Sequence, residues 1–142
     1  MTDFVGAKVA LLCGDRILTY QRDTRPGLPW PGLWDLPGGG RECSETADQC
    51  LIREVWEEFG LHLDPRHLLW RNEFPAMQNP AKRSVFFAAR ISAQEVAQIR
   101  FGTEGQRWQM MTLSEWLNHP SAIPALQHRT ALALGGLAQN TA

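Results

Sequence analysis

The stretch of sequence that decides the fold runs from residue 39 to residue 61 and reads GGRECSETADQCLIREVWEEFGL. It follows the pattern G-x5-E-x7-R-E-U-x-E-E-x-G-U, where U is an aliphatic residue, through Gly39, Glu45, Arg53, Glu54, Glu57, Glu58 and Gly60. With ordinary residue frequencies, a given start position would match this pattern by accident about once in 10⁹. The stretch therefore carries specific structural and functional information.

The same stretch predicts an amphipathic helix. Ser44 or Thr46 could cap its first turn, the helix is expected to end near Phe59, and Gly60 stands where a left-handed stop residue is typical. One arc of the helix is apolar and is expected to anchor it on a sheet, through Leu51, Ile52, Val55 and Phe59.

Three carboxylates lie on the arc beside that apolar face. Glu54, Glu57 and Glu58 are spaced so that their side chains meet on one side of the helix. Like charges so placed repel one another, and more strongly when they are partly desolvated. An ordinary acidic surface helix would explain three such residues alone, but not the glycine run before them or Arg53 beside Glu54. We therefore expect a bound dication, and Mg²⁺ prefers oxygen ligands of this kind.

Residues 39–61 resemble, without a departure, the signature box of the Nudix hydrolases, a family that splits nucleoside diphosphates linked to another group X. The resemblance implies Mg²⁺ as the cofactor, with Mn²⁺ able to substitute, and metal ligands at Glu54, Glu57, Glu58 and the carbonyl of Gly38. It also implies that Arg53 orients the helix carboxylates by hydrogen bonding and is paired with Glu45. Gly39 and Gly60 resemble structural positions, and the glycine run also allows close approach of a substrate at Gly39.

Three residues outside the box are further candidates. Glu104, in the triplet Glu-Gly-Gln before a predicted strand, resembles a glutamate that MutT-like members add to the metal site, sometimes as the catalytic base. Arg22 ends a predicted strand, where an arginine of MutT-like enzymes contacts substrate phosphates, although a solubilising surface arginine would look the same. Trp30 lies in a proline-rich loop and could stack on a base. Trp34 is expected in the core, and packing is also expected for Trp56.

The remaining pattern predicts an α+β fold, an α/β/α sandwich with a mixed sheet flanked by helices, as one domain over residues 1–142. Strands are expected at Val5 to Leu12, Arg16 to Gln21, Trp34 to Leu36, Leu68 to Asn72, Ser84 to Ile91 and Arg107 to Thr112. Further helices are expected at Ser92 to Ile99, Ser114 to Asn118 and Pro124 to Ala138.

Net charge and cysteine content indicate which partners and which cellular compartment to expect. The formal charge is −1, from 14 basic and 15 acidic residues, and so gives no support to a polybasic nucleic-acid binder. The three cysteines match no zinc spacing and indicate free thiols in a reducing compartment. Without a secretory signal or a membrane-spanning stretch in the sequence, a cytoplasmic protein is expected. The resemblance allows a homodimer, which no residue of the chain indicates.

The expected substrate is a small-molecule nucleotide. The short chain and the Glu-Gly-Gln triplet resemble MutT-type nucleoside triphosphate pyrophosphatases, which release a nucleoside monophosphate and pyrophosphate. Residues 121–126 are expected to read the base, but Ile123 and Pro124 stand where an amide side chain would help to read a purine. Two alternatives remain open: another diphosphate substrate, such as ADP-ribose, a dinucleoside polyphosphate or a capped RNA end, and a non-catalytic module that senses a nucleotide.

Overall fold

The computed structural model describes residues 3–140 and confirms a mixed β-sheet flanked by helices. The seven strands are β1 (Phe4–Cys13), β2 (Arg16–Gln21), β3 (Trp34–Asp35), β4 (Gly38–Gly40), β5 (Leu68–Pro75), β6 (Arg83–Arg90) and β7 (Arg107–Thr112). The helices are α1 (Ala47–Phe59), α2 (Ala93–Ala97), α3 (Leu113–Asn118) and α4 (Pro124–Asn140). None of the helices in residues 3–140 is long and apolar enough to cross a bilayer.

The sheet is ordered β3-β2-β1-β6-β5, with β1 at its centre. β1 runs parallel to β6 and antiparallel to β2, while β7 pairs antiparallel with the whole length of β2. β4 also pairs with β1, at Lys8 opposite Gly38 and at Gly6 opposite Gly40. The register between β1 and β6 shifts between Phe4 and Ala7, so the start of β1 departs from regular pairing. The pairing of β4 with β1 fixes the glycine run against the central strand.

Two apolar cores lie on the two faces of this sheet. The first joins α1 to the sheet, and its fully buried members include Leu51, Val55 and Phe59. The second lies under α3 and α4 and includes Trp34 and Trp116. Both faces of β1 are covered, because buried residues follow one another along most of its length. This arrangement is the predicted helix–sheet–helix sandwich.

Helix α1 begins and ends where its sequence indicates. Thr46 is the N-cap: its side chain accepts a hydrogen bond from the backbone N–H of Gln49, whose own side chain accepts one from the N–H of Thr46. Gly60 ends the helix in the left-handed conformation, with φ of 66°. Of the two caps considered from the sequence, Thr46 is therefore the one used.

Several boundaries differ from the sequence prediction. β3 ends at Asp35 rather than at Leu36, and β5 continues to Pro75. α2 is confined to Ala93–Ala97. β4 was not predicted as a strand, since three consecutive glycines have no intrinsic preference for one; pairing with β1 imposes the extended form.

Candidate active site

A cleft of about 530 Å³ opens beside the glycine strand β4. A volume of this size is typical of sites for small molecules. The structure brings most of the predicted site residues to its wall: Arg22, Trp30, Gly38, Gly39, Glu54, Glu58 and Glu104. Arg53 and Glu57 do not line it, although both lie next to residues that do.

Arg53 connects the acidic residues of the box. Its Nε and Nη2 donate to the two carboxylate oxygens of Glu45, at 2.7 and 3.0 Å. Its Nη1 donates to Glu54 at 2.9 Å and to Glu57 at 3.2 Å. Hydrogen bonding to Arg53 lowers the pKa of Glu45. The expected role of Arg53, orienting carboxylates by hydrogen bonds and pairing with Glu45, agrees with these contacts.

Glu58 is the most enclosed carboxylate of the three. Its side chain is buried, and its Oε1 accepts a hydrogen bond from the backbone N–H of Gly38 at 2.9 Å. Burial raises the pKa of Glu58 from its usual 4.5 to about 8, although Lys8 and the Gly38 N–H act in the opposite direction. Burial also raises the pKa of Glu54, against the lowering effect of Arg53. Both carboxylates therefore lack enough positive charge nearby to offset their desolvation.

Close packing explains why positions 38 and 39 at the cleft are glycines. A Cβ at Gly39 would lie 2.6 Å from the Cδ of Glu54, so a side chain at this position would displace that carboxylate. Gly38 has φ of 129°, a backbone conformation that side chains disfavour, and its missing Cβ faces the backbone of β1 at Ala7. The glycine run thus brings backbone and helix carboxylates together.

Asp35 is a site residue that the sequence did not single out. It is 1% exposed and accepts hydrogen bonds from Lys8 Nζ at 3.0 Å, Tyr20 Oη at 3.0 Å and Arg22 Nη1 at 2.9 Å. One carboxylate therefore holds two cations at the wall of the cleft. Two features of the sequence could have indicated this pair: Asp35 is the one acid in a short apolar strand before the box, and Lys8 is the one lysine in the apolar strand β1.

Arg22 and Trp30 lie at the cleft but are also engaged in structure. Arg22 donates to Asp35 and, through Nε, to the carbonyl of Pro29 at 2.9 Å. It therefore ties the proline-rich loop to β3 as well as facing the cleft. Trp30 has φ of 48° and packs partly against the second core.

Two expectations about the periphery are wrong. Residues 121–126, expected to read a base, do not line the cleft in the described structure; Ile123 and Leu126 are buried in the second core. The connection from β5 to β6 lines it instead, at residues 76–79 and Lys82, together with Ser84 and Arg129. Trp56, for which packing was expected, is instead 48% exposed, and its ring stacks on that of His62 with centroids 4.0 Å apart.

The carboxylates are near one another without forming a closed cage. In residues 3–140, no group of three or more His, Cys, Asp or Glu side chains is arranged so that it could hold a metal ion as it stands. Glu57 is turned towards Arg53 and its side chain is 54% exposed. The donors that face the cleft are nevertheless hard oxygens, which suit Mg²⁺ or Mn²⁺ rather than a soft metal.

A mixed sheet between helices, with a glycine strand against a carboxylate helix, defines a NUDIX-type domain. The NUDIX domain model matches residues 4–131, and the chain belongs to this family. Its fold resembles the MutT protein of Methanosarcina mazei Go1, with a TM-score of 0.68 at 19% identity, covering 89% of this chain and 90% of that one. It also resembles a bifunctional NMN adenylyltransferase/ADP ribose pyrophosphatase of Francisella tularensis, solved with AMP and a Mn ion, with a TM-score of 0.66 at 23% identity, covering 92% of this chain and 41% of that one.

Among curated proteins, the chain is 36% identical over 66 residues to the human m7GpppN-mRNA hydrolase NUDT17. This match covers 46% of the chain and 20% of the human protein. The chain thus spans about a fifth of the length of that relative. NUDIX hydrolases as a class act with divalent metal ions.

Proposed function

We propose that the protein hydrolyses a phosphoanhydride bond in a nucleoside diphosphate linked to a group X, with Mg²⁺ as its cofactor. The favoured substrate is a nucleoside triphosphate, which would give a nucleoside monophosphate and pyrophosphate. One observation carries the proposal: Glu54, Glu58 and Glu104 line one cleft, and burial raises the pKa of the first two. Carboxylates that are desolvated in this way would be stabilised by a cation from outside the chain.

The residues at the cleft suit a magnesium ion. Glu54, Glu58, Glu104 and the backbone of Gly38 lie at the cleft wall, and Glu57, which pairs with Arg53, would have to rotate away from it to join them. When bound there, Mg²⁺ would neutralise phosphate charge and lower the pKa of a nearby water. Mn²⁺ has similar oxygen preferences and is expected to substitute.

The chain's own residues supply orientation and proton transfer. Arg53 orients Glu54 and Glu57 by donating hydrogen bonds to both carboxylates. Gly39 has no side chain and so leaves space for the Glu54 carboxylate at the cleft. Glu54, Glu57 and Glu104 remain the three candidates for the group that takes the proton of the attacking water. Lys8 and Arg22, both fixed by Asp35, place positive charge where substrate phosphates would lie.

Alternative substrates have specific support. The human relative is named as a hydrolase of capped mRNA, and the Francisella neighbour carries an ADP ribose pyrophosphatase activity in its name. ADP-ribose, dinucleoside polyphosphates and capped RNA therefore belong in the same test. A non-catalytic sensor of nucleotides is disfavoured because every carboxylate of the box is present. Cytoplasmic location and a homodimer stay predictions, to be tested by fractionation and by sedimentation.

A substrate panel tests the proposal. Nucleoside triphosphates, ADP-ribose, a dinucleoside tetraphosphate and a capped RNA would be incubated with Mg²⁺ or Mn²⁺ at neutral and alkaline pH, and nucleotide products, phosphate and pyrophosphate would be measured. Release of pyrophosphate from a triphosphate supports the favoured reaction. Binding of a nucleotide without turnover in Mg²⁺ would favour the sensor instead.

Glu57→Gln provides the matching variant. We expect this change to leave the fold intact, because Glu57 is half-exposed, and to remove nearly all Mg²⁺-dependent turnover. The control is Glu73→Gln, another partly exposed glutamate, which pairs loosely with Arg83 at 3.8 Å and does not line the cleft. Near-wild-type turnover in Glu57→Gln would contradict the assigned role.

A further inference from the structure

Arg129 is a buried cation at the wall of the cleft. It projects from α4, is 7% exposed, and lines the same cleft as the carboxylates. Its Nη1 donates to Ser84 Oγ at 3.2 Å and its Nη2 donates to the carbonyl of Pro75 at 2.8 Å. Its guanidinium also lies 4.8 Å from the ring centroid of Phe74. These contacts fix the orientation of the guanidinium and leave other N–H groups for a further partner.

The charge of Arg129 has no counter-charge in the described structure. Among residues 3–140, no carboxylate lies within ion-pair distance of it, and its two hydrogen-bond partners are neutral oxygens. Desolvation by burial lowers the pKa of Arg129. A buried charge without an opposite charge is strongly destabilising. The presence of the uncompensated Arg129 charge at a cleft therefore indicates that a bound ligand supplies the anion.

The cleft has an acidic side and a basic side, separated by β1. The acids lie with β2, β4 and α1: Glu54 and Glu58 on the helix, and Glu104 in the segment whose backbone packs against Tyr20 and Gln21. Arg129 contacts β5 and β6 on the opposite side of β1, and Lys82 lines that side just before β6. No acid comes from this second side of the cleft wall within the described residues.

We propose that Arg129, with Lys82 at the mouth, binds a phosphate on the half of the substrate that lies across β1 from the carboxylates. This inference rests on the proposed function and specifies its substrate class: a diphosphate-linked nucleotide that carries a further phosphate outside the diphosphate bridge. A neutral base edge would satisfy hydrogen bonds of Arg129 but would leave its charge unbalanced. A phosphate satisfies both, and the planar guanidinium suits its oxygens.

Binding of inorganic phosphate in EDTA tests the site without turnover. Chelation removes metal-bound phosphate, and any binding at Lys8 and Arg22 should be the same in every Arg129 variant. The difference between the wild type and Arg129→Met therefore reports on the Arg129 side of the cleft. Titration calorimetry should show phosphate binding to the wild type, at least about tenfold weaker binding to Arg129→Met, and intermediate binding to Arg129→Lys. Arg83→Gln is the control, because Arg83 is a partly exposed arginine outside the cleft wall. Equal binding by the wild type and Arg129→Met, or no binding by either, would overturn the site.

Pairs of diphosphate substrates that differ by one phosphate test the substrate class. Coenzyme A would be compared with dephospho-coenzyme A, and NADPH with NADH, as ratios of kcat/KM. The wild type should prefer a phosphorylated member by at least about tenfold, Arg129→Met should bring that ratio close to unity, and Arg129→Lys should restore part of it. Thermal unfolding of each variant would confirm that it is folded.

The outcomes separate this inference from the proposed function. Turnover without any Arg129-dependent preference for the phosphorylated member overturns the substrate class and leaves the hydrolase intact. An Arg129-dependent preference between GTP and ATP alone would also overturn it, because Arg129 would then be reading a base. Retained phosphate binding with no turnover of any diphosphate would support the Arg129 site and refute the proposed function.

Discussion

Glu58 should make the metal-free protein less stable as the pH rises, and Glu58→Gln should remove that dependence. The carboxyl is buried, and its hydrogen bond from Gly38 and the charge of Lys8 offset only part of its desolvation. Its pKa is about 8 in the folded protein and near 4.5 when the chain is unfolded. The folded state therefore binds the proton more tightly than the unfolded state does.

The sign and size of the effect follow from that difference. Below about pH 4.5 both states are protonated and Glu58 contributes no penalty. Between about 4.5 and about 8 only the unfolded state loses its proton freely, so the free energy of unfolding falls by about 1.4 kcal/mol per pH unit. The full loss, reached above about pH 8, is at most about 5 kcal/mol.

Chemical denaturation in EDTA across this pH range would measure the effect. The glutamine in Glu58→Gln keeps a carbonyl for the Gly38 N–H and cannot ionise, so the variant should match the wild type near pH 5 and exceed it by several kcal/mol near pH 9. Millimolar Mg²⁺ should stabilise the wild type at alkaline pH more than the variant. Glu73→Gln, which replaces a partly exposed residue outside the cleft wall, should follow the wild type. Parallel stability curves for the wild type and Glu58→Gln would refute the reasoning.

Two further substitutions test the architecture of the cleft. Gly39→Ala should leave the free energy of unfolding nearly unchanged but lower Mg²⁺-dependent kcat/KM at least about tenfold, because the new methyl would lie 2.6 Å from the Glu54 carboxyl carbon and displace it; unchanged kinetics would contradict this. Asp35→Asn should destabilise the protein by about 3 kcal/mol in urea denaturation, because it removes the counter-charge of two partly buried cations, and a loss below about 1 kcal/mol would show that the network is not needed for stability.

The parts of the site that lie close together in sequence could be predicted from it. Helix α1 and its glycine stop follow from residue spacing and local hydrogen bonds, whereas the pairing of Arg53 with Glu45 was implied by the resemblance of the box to the Nudix signature. Caps and contacts of this kind depend on few neighbours, so one sequence contains most of the information that fixes them.

Long-range packing set the features that the sequence did not reveal. Asp35 holds two cations at the cleft wall only because β1 and β2 bring Lys8, Tyr20 and Arg22 to it. Arg129 looked like one base on an amphipathic helix, and only the docking of α4 on β5 and β6 places it at the cleft. Residues 121–126 were misassigned because their backbone pairs with Trp34 and buries Ile123, a contact that no local pattern shows.

The hydrogen bonds of Arg53 explain why the box needs Glu45 as well as the three helix carboxylates. Glu54 and Glu57 both accept from Nη1, so each would have to give up or share that contact in order to turn towards the proposed cation in the cleft. Arg53 would then be left with an unbalanced charge if those were its only partners. Glu45 binds Nε and Nη2 through both oxygens, and the Gly40 carbonyl accepts from Nη2 at 2.9 Å, so Arg53 stays in place. The helix carboxylates can therefore reorient without disrupting the residue that positions them.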